Sequence, residues 1–495
     1  MDADQRQDRG RKRPADRTEG RGGLTQKEMT RATADFTGKK VLIMGLGIHG
    51  GGTGAAKFFA RAGADVLVTD LKTEREIGVS LRNLRSSQGR IAYALGRHRI
   101  NDFRHADLVV KNPGVRPDSP YLRAARSAGV PITSEMGIFF RYSPATIIGV
   151  TGTRGKSTTA TLIAKFLKTK YSRVFLAGNI RSSVLDLLQR LKTGDIVVIE
   201  ISSFQLQDMK DEARTDVEAA SAFRGKPAVS VITNIMRDHL NWHGSLSSYR
   251  AAKQTIFSFQ DSSGFLFIPA RDAAVRKLAR DARSRVTLCA PPNSAFAALV
   301  EKRLGSHYVP SVAIAAAVAR HFGIKPPAIT RVLGAFDGLE GRQENIGLIR
   351  GIRFINDTTA TIPDATIAAL NRFYVRARRG ARLILIAGGT DKNLRFSAMA
   401  DAVKTMADAV FLLPGDATEH LKKSLGKTAK PIRDAESMRD TVRSAFMMAR
   451  RGDTILLSPG AASFGLFANE FDRGEQFVKE VKKLKSWTNP SSIPL

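Results

Sequence analysis

Short apolar runs alternate with longer stretches of helical periodicity along most of this chain. Near the beginning, the runs Lys40–Met44 and Asp65–Asp70 flank a helical pattern at 54–62, and another run follows at 107–110. Further apolar runs lie at 145–150, Ile196–Glu200, 229–234, 353–355, 383–387, Ala409–Leu413 and Thr454–Leu457. Runs of this length are typical of buried strands, and helices between consecutive strands indicate parallel sheets. The pattern therefore predicts an α/β protein with mostly parallel sheets.

The order of these patterns predicts a tail and three domains. Residues 1–35 are polar and rich in Arg, Asp and Gly, so we expect a disordered basic tail. The predicted domains are a Rossmann-like domain at 36–143, a central P-loop ATPase-like domain at 144–337, and a second Rossmann-like domain at 338–487. Within the central domain, the stretch 207–227 is polar and irregular, and it is predicted to be a surface excursion.

Composition narrows the class of protein. A chain of 495 residues suits about three domains. The net charge of +32 is spread over the predicted domains, so we expect no specific nucleic-acid partner. Cys289 is the only cysteine, and no apolar run has the length of a membrane span. We therefore expect a cytoplasmic protein without membrane insertion, and we expect a monomer.

The most informative chemical signal is the segment 149–158, which reads GVTGTRGKST. It follows an apolar run and precedes a helical pattern at 157–167, which predicts a strand, a Gly-rich turn and a helix start. In such a turn, backbone N–H groups and the helix N-terminus attract phosphate, the lysine reaches the terminal phosphates, and the serine binds Mg²⁺. The residues predicted to bind a nucleoside triphosphate are Gly152, Thr153, Arg154, Gly155, Lys156, Ser157 and Thr158.

A second Gly-rich turn follows the first predicted strand. Gly45, Gly47 and Gly50 have the spacing of a dinucleotide-binding fingerprint, and Asp70 ends the next strand. An NAD enzyme is therefore a rival interpretation. The triphosphate loop in the next domain instead favours a nucleotide-linked substrate over hydride transfer.

Polar residues after two other strands could complete a metal site. Glu200 ends a strand, where acids complete Mg²⁺ coordination, although a helix-capping role is the alternative. His239 follows the strand at 229–234, at the edge of a parallel sheet where ligands bind. Lys253 falls within a helical pattern, and by itself that pattern indicates a solvated surface lysine.

Taken together and in order, these segments resemble the Mur ligases, the ATP-dependent amino-acid ligases of cell-wall synthesis. The resemblance rests on the phosphate loop, the segment 200–206 (EISSFQL), Asn234 with Asp238 and His239, and the segment 249–253 (YRAAK). Further matches are 45–47, 112–114, 178–180 and 457–464. The similarity extends from about residue 38 to about residue 485.

The resemblance implies an ATP-dependent ligase that forms a C–N bond, with ADP and phosphate as products. The most distinctive motifs imply that it adds D-glutamate to UDP-N-acetylmuramoyl-L-alanine through an acyl phosphate. This places the expected activity in peptidoglycan precursor synthesis, and hence in cell-wall biogenesis, cell shape and cell division. The implied cofactors are ATP and Mg²⁺ at two sites.

The resemblance also implies a role for individual residues. The implied catalytic residues are Lys156, His239 and Lys253, and the implied metal ligands are Ser157, Glu200, His239 and Lys253, the last of them carbamylated. The implied ATP-binding residues are those of the loop 152–158 with Arg342 and Asp357. The implied UDP-substrate contacts are Gly47, Asp70, Leu71, Lys72, Asn179, Ser203 and Gln205. The implied D-glutamate contacts are Thr361, Lys392 and Ser463.

Several positions depart from the family pattern. Gly341 stands in place of a histidine, Thr359 in place of a lysine, and Tyr308 and Ser311 in place of two asparagines of an adenine-site motif. These departures leave two alternatives open. One is a sister ligase that uses a different amino acid, and the other is a catalytically inactive protein that binds nucleotides or polyanions.

Overall fold

The structure is a computed structural model that describes residues 36–47, 50–85, 91–178, 183–377, 380–391, 394–463 and 466–485. The predicted tail at 1–35 lies outside this part of the chain. The described residues form two compact units. The first extends to Ala290 and includes Ile314–Ile324, and the second comprises Pro291–Ala313 and the chain from Lys325 onward.

The first sheet has five parallel strands in the order β3-β2-β1-β4-β5. Its strands are β1 Lys40–Met44, β2 Asp65–Asp70, β3 Ile91–Leu95, β4 Leu108–Lys111 and β5 Ile132–Ser134. Its helices are α1 Gly51–Arg61, α2 Gly78–Arg85, α3 Ile100–Arg104, α4 Pro120–Ser127 and α5 Glu135–Tyr142. This strand order is found in Rossmann folds, and it brings the turn after β1 to the point where the order reverses.

The second sheet has six parallel strands in the order β11-β10-β9-β6-β8-β7. Its strands are β6 Thr146–Thr151, β7 Val174–Gly178, β8 Ile196–Glu200, β9 Val229–Ile232, β10 Phe265–Pro269 and β11 Arg285–Cys289. Its helices are α6 Lys156–Leu167, α7 Val184–Leu188, α8 Ser203–Thr215, α9 Val217–Phe223, α10 Leu240–His243, α11 Leu246–Ser258 and α12 Ala273–Leu278. Because β6 lies between β8 and β9, their carboxyl ends surround the phosphate loop.

The second unit contains the third sheet, in the order β12-β13-β17-β14-β15-β16. Its strands are β12 Glu344–Ile349, β13 Ile352–Asn356, β14 Leu383–Gly388, β15 Ala409–Leu413, β16 Ile432–Asp434 and β17 Thr454–Leu457. The helices from this part of the chain are α13 Ser294–Leu304, α14 Val309–His321, α15 Pro326–Gly334, α16 Pro363–Ala377, α17 Ser397–Met406, α18 Asp416–Leu425, α19 Met438–Met448 and α20 Glu470–Lys483. β12 pairs antiparallel with β13, whereas the other pairs are parallel.

The predicted fold class is confirmed. The strands are almost all parallel and their side chains are mostly buried, because helices cover the sheets. The boundaries near 143 and 337 stay predictions. Within the described part of the chain, no helix combines the length and the apolar character needed to cross a membrane.

The prediction of a surface excursion at 207–227 is wrong. The stretch belongs largely to α8 and α9, and two of its acidic side chains, Asp208 and Glu212, are buried. The polar composition hid the helix because its inward-facing residues are charged rather than apolar. They are accommodated by partners on the first sheet, since Lys111 at the end of β4 donates to Asp208 and Thr133 on β5 donates to Glu212 at 2.8 Å.

Glu212 is an unusual residue in this packing. Its side chain is 2% exposed, and Arg141 lies 3.4 Å from Oε1 and 2.6 Å from Asp216. The other oxygen, Oε2, has no hydrogen-bond partner among the described residues. Burial raises the pKa of Glu212 to about 8, although Thr133 and Arg141 lower it and the carboxylates of Asp216 and Asp208 raise it further. The protonated acid is therefore favoured in the folded state.

We expect Glu212→Gln to be more stable than the wild type at pH 9, by roughly 1–3 kcal/mol. Between the ordinary pKa of 4.5 and the folded value of about 8, the unfolded chain releases the Glu212 proton while the folded chain retains it. The wild type therefore loses stability as the pH rises through this window, and glutamine removes that loss. Denaturant unfolding at pH 5, 7 and 9 measures the difference.

The matched control is Glu218→Gln, because Glu218 is exposed on the next helix. Its stability should follow that of the wild type at each pH, to within about 0.5 kcal/mol. Parallel curves for the wild type and Glu212→Gln between pH 5 and pH 9 would contradict the raised pKa.

Candidate functional site

The phosphate loop has the predicted architecture of strand, turn and helix. β6 ends at Thr151, and α6 begins at Lys156. Gly155 caps the helix with φ of 77°, in the left-handed region that glycine adopts without strain. The main-chain N–H groups at the start of α6 and the helix dipole create a site that attracts phosphate.

Two side chains, one just after β9 and one on α11, hold the loop in shape. Asn234 accepts from the Arg154 amide at 2.9 Å and donates to the Arg154 carbonyl at 3.1 Å. Tyr249 lies 3.0 Å from the Thr153 hydroxyl, which also accepts from the Met236 amide at 2.9 Å. These bonds hold the loop in one conformation, and a loop held in this way loses less conformational entropy when it binds a ligand.

Lys253 lies below the loop and contradicts the expectation of a surface lysine. It is 1% exposed, and its Nζ donates to the Gly152 carbonyl at 2.7 Å. Burial lowers the pKa of Lys253 well below its usual value, and the positive charge of Lys156 lowers it further. Position 152 needs a glycine for a separate reason, since a Cβ there would lie 1.9 Å from the Thr233 hydroxyl.

Ser157 and Glu200 meet at the carboxyl edge of the second sheet. β8 pairs directly with β6, and the Ser157 hydroxyl donates to Glu200 Oε2 at 2.6 Å. Glu200 is 2% exposed. A hydroxyl and a carboxylate are hard oxygen ligands of the kind Mg²⁺ prefers, so this donor set fits the implied ion. Lys156 donates to the Thr153 carbonyl at 3.1 Å within the same turn.

His239 follows β9 and lies beside the start of α8. Its backbone has φ of 51°, and its ring is 3.5 Å from Asp238 Oδ2 and packs against Phe204, with ring centroids 4.8 Å apart. No cluster of three or more His, Cys, Asp or Glu side chains suited to a metal exists within the described ranges. The structure thus brings Ser157 and Glu200 together, whereas His239 is not part of a metal-binding group of His, Cys, Asp or Glu side chains among the residues that the structure describes.

The N-terminus of α8 carries two of the predicted substrate contacts. Gln205 forms a capping box with Ser202, which satisfies the first amides of the helix. Ser203 is 4% exposed and lies 2.9 Å from His243 Nε2. Burial lowers the pKa of His243 to about 4, so this imidazole is neutral at physiological pH. Asn179 lies outside the described residues.

In the first sheet, Asp70 supports the turn that contains Gly47. Its carboxylate accepts from the Leu46 amide at 2.9 Å and from the Lys72 amide at 2.9 Å. Leu71 and Lys72 are exposed at the same edge. The structure therefore brings all four predicted residues of this loop together at the carboxyl end of β1 and β2, where ligands bind to such sheets.

The second unit has its own cluster at the carboxyl end of β13 and β17. Asp357 is 5% exposed and accepts from the Ser458 hydroxyl at 2.7 Å and from the Gln343 amide at 3.1 Å. Thr359 donates to the Gly341 carbonyl at 3.0 Å, so two of the four positions that depart from the family pattern contact each other. Arg342 lies in the same turn, next to Gln343. Lys392 lies outside the described part of this unit.

Arg473 is a residue of this cluster that the sequence did not reveal. It is 0% exposed on α20, and it donates to the Thr358 carbonyl at 2.7 Å and to the carbonyls of Ala461 and Ala462 at 3.2 and 3.3 Å. It therefore joins the loop that leads to Thr361 with the loop that leads to Ser463. No motif contains it, and its partner Thr358 is 115 positions away.

The three sheets and the phosphate loop define the class of nucleotide-binding α/β proteins. Three family models match the parts of the chain that form these sheets. They are "Mur ligase MurD-like, N-terminal domain" at residues 39–134, "Mur ligase middle domain" at 150–309, and "Mur ligase, glutamate ligase domain" at 341–460.

Curated relatives match over nearly the full length. A UDP-N-acetylmuramoylalanine--D-glutamate ligase from Roseiflexus sp. (strain RS-1) is 37% identical over 488 residues, which cover 90% of this chain and 99% of the relative. A protein of the same name from Borreliella afzelii (strain PKo) is 35% identical, over 90% of this chain and 97% of the relative. The chain belongs to the Mur ligase family.

Solved structures agree with this fold. The UDP-N-acetylmuramate-alanine ligase MurC of Thermotoga maritima superposes with a TM-score of 0.57 at 20% identity, over 90% of this chain and 99% of that one. At this identity the likeness concerns the fold alone.

Proposed function

We propose that this protein is an ATP-dependent ligase that adds D-glutamate to UDP-N-acetylmuramoyl-L-alanine. The observation that carries the proposal is the phosphate loop with its Ser157–Glu200 pair, in a chain whose full-length relatives bear the name of this ligase. A C–N ligation driven by ATP needs a group that holds the terminal phosphate and a metal that offsets its charge.

The residues of the loop have distinct tasks in this proposal. Lys156 and the amides of α6 bind the phosphates of ATP, while Ser157 and Glu200 would hold Mg²⁺, which offsets phosphate charge when bound. The substrate carboxylate then attacks the γ-phosphorus of ATP, so that an acyl phosphate forms and ADP leaves. The amine of the amino acid attacks the acyl carbon, the C–N bond forms with loss of a proton, and inorganic phosphate leaves. Asp357 and Arg342 are proposed to contact ATP, and Thr361, Lys392 and Ser463 to contact D-glutamate.

Lys253 requires a chemical change if it is to bind a second metal ion. Its nitrogen donates to the Gly152 carbonyl at 2.7 Å, and Mg²⁺ takes oxygen ligands rather than a lysine nitrogen. Its lowered pKa favours the neutral amine, which is the form that reacts with CO₂. We therefore propose that Lys253 is carbamylated, and that the carbamate and His239 complete the second site.

The location and the UDP contacts are also inferred. We infer a cytoplasmic enzyme from the proposed use of ATP and from Cys289, which is a free thiol. Gly47, Asp70, Leu71 and Lys72 are proposed to hold the uridine part of the substrate. Asn179, Ser203 and Gln205 are proposed as further contacts of the UDP-linked substrate.

The direct test is phosphate release from ATP with Mg²⁺ and UDP-N-acetylmuramoyl-L-alanine, with D-glutamate, L-glutamate or other amino acids added one at a time. Release that depends on D-glutamate is the expected result. Release with a different amino acid alone would identify a sister ligase and give Thr359 a role in that choice. Nucleotide binding without release would indicate an inactive protein.

We expect Glu200→Gln to raise the Mg²⁺ concentration needed for half-maximal activity by at least about tenfold. The amide is neutral, so the site loses the negative charge that attracts the cation, while the acceptor for the Ser157 hydroxyl remains. A Mg²⁺ titration of phosphate release at fixed ATP measures the shift.

Glu301→Gln is the control for this titration, because Glu301 is an exposed glutamate on α13. Its Mg²⁺ dependence should equal that of the wild type. An unchanged titration for Glu200→Gln would mean that Glu200 does not bind Mg²⁺ and only accepts the hydrogen bond from the Ser157 hydroxyl.

A further inference from the structure

A buried ion pair joins the first sheet to α8. Lys111 Nζ donates to Asp208 Oδ1, and the two side chains are 5% and 3% exposed. The second carboxylate oxygen, Oδ2 of Asp208, has no hydrogen-bond partner in the described part of the chain. Two apolar side chains of similar volume would be at least as stable in such a place, so stability alone does not explain the pair.

Lys111 is the last residue of the strand that leads into the nucleotide-binding edge. The next residue, Asn112, donates its amide to the Met44 carbonyl at 2.9 Å and accepts from the Gly114 amide at 3.0 Å. A Cβ on Gly47 would lie 2.8 Å from the Asn112 side-chain nitrogen. A displacement of Lys111 would therefore move the turn that contains Gly47.

Asp208 lies on the helix whose first turn carries the other proposed contacts. Ser203 and Gln205 occupy the start of α8, and the capping box with Ser202 makes that end rigid. Asp208 follows Gln205 by three positions, which puts the two residues on adjacent turns of one face. A displacement of Asp208 would therefore move Ser203 and Gln205 with it.

We propose that Lys111 and Asp208 are a positioning pair that sets the turn at Gly47 and the start of α8 at the separation the UDP-linked substrate requires. The inference rests on the proposed function, because it assumes that one substrate contacts both elements. A charge-assisted hydrogen bond has a fixed direction and length, whereas an apolar contact permits the helix to slide. Burial raises the pKa of Asp208 to about 7, and Lys111 opposes this rise.

The test compares Lys111→Met, Asp208→Leu, the double apolar variant, and the exchange of Lys111→Asp with Asp208→Lys, all in the full chain. The two single variants should melt at lower temperature, because each leaves a buried charge without its partner. The double apolar variant should recover the melting temperature. Its KM for UDP-N-acetylmuramoyl-L-alanine should nevertheless stay raised by at least about tenfold.

The KM for ATP in the double apolar variant should stay within about twofold of the wild type, since the phosphate loop is untouched. The charge exchange should restore part of the lost substrate affinity. A double apolar variant with both a wild-type melting temperature and a wild-type KM for the UDP-linked substrate would overturn the proposal. If that variant does not fold, Lys111→Arg decides, because it keeps the charge and moves the donor. A raised KM supports the proposal and an unchanged KM contradicts it.

Equilibrium binding of UDP-N-acetylmuramoyl-L-alanine without ATP or amino acid separates this inference from the proposed function. If the wild type binds it but no amino acid gives turnover, the proposed ligation fails, and the Kd values of the variants still test the pair. If the wild type does not bind it at all, both the proposed substrate and the positioning role are contradicted.

Discussion

Replacing Lys253 by arginine is expected to lower kcat by at least about a hundredfold. Arginine retains a donor for the Gly152 carbonyl, which Lys253 Nζ contacts at 2.7 Å. It cannot form a stable carbamate, so it supplies no anionic oxygen to a cation. The comparison therefore separates the chemical task of Lys253 from its support of the loop.

Lys253→Met is the companion variant. It removes both the donor and the reactive amine at similar side-chain length, in a site that is 1% exposed. We expect equally low activity from this variant, together with some loss of stability, because the Gly152 carbonyl loses its partner. Arg250→Met on the same helix is the control, since Arg250 is exposed and should be replaceable without effect.

The carbamate can also be tested in the wild type. Activity should fall in buffer depleted of CO₂ and return when bicarbonate is added, whereas Lys253→Arg should not respond. If Lys253→Arg keeps more than about half of the wild-type kcat, Lys253 only anchors the loop and the proposal of a carbamate is wrong.

The part of the site that the sequence revealed is the part that is local in the chain. The phosphate loop was predicted because its strand, turn and helix start occupy one short segment, and the structure has β6 and α6 at those places. Glu200 was predicted to take part in the metal site because it is an acid at the end of a strand, and the carboxyl ends of parallel strands lie at the same edge of the sheet as the loop. Both inferences need only neighbouring residues and the geometry of parallel sheets.

The residues whose burial was not predicted from the sequence have partners that are distant in the chain. Lys253 had the pattern of a surface lysine, but its Nζ contacts a carbonyl 101 positions away. The stretch at 207–227 looked irregular because Asp208 and Glu212 point inward, and their partners Lys111 and Thr133 belong to the first sheet. The identity of a charged residue does not show whether its side chain is buried in an ion pair or exposed to solvent.

We expect Arg473→Met to destabilise the second unit by roughly 3–5 kcal/mol. Burial lowers the pKa of Arg473 to about 10, while Glu470 and Asp357 raise it, so the guanidinium stays charged. Without it, the carbonyls of Thr358, Ala461 and Ala462 lose a donor inside the protein. Thermal and denaturant unfolding measure the loss.

The substitution should also change the KM values of D-glutamate and ATP to different extents. Arg473 ties together the loops that lead to Thr361 and Ser463, so at temperatures where the variant is folded its KM for D-glutamate should rise more than its KM for ATP. Lys479→Met on the same helix is the matched control, because Lys479 is exposed and its loss should change neither stability nor KM. If Arg473→Met melts like Lys479→Met, the buried guanidinium does not hold these loops. If it is destabilised but raises both KM values equally, Arg473 supports the fold of the unit rather than the D-glutamate site in particular.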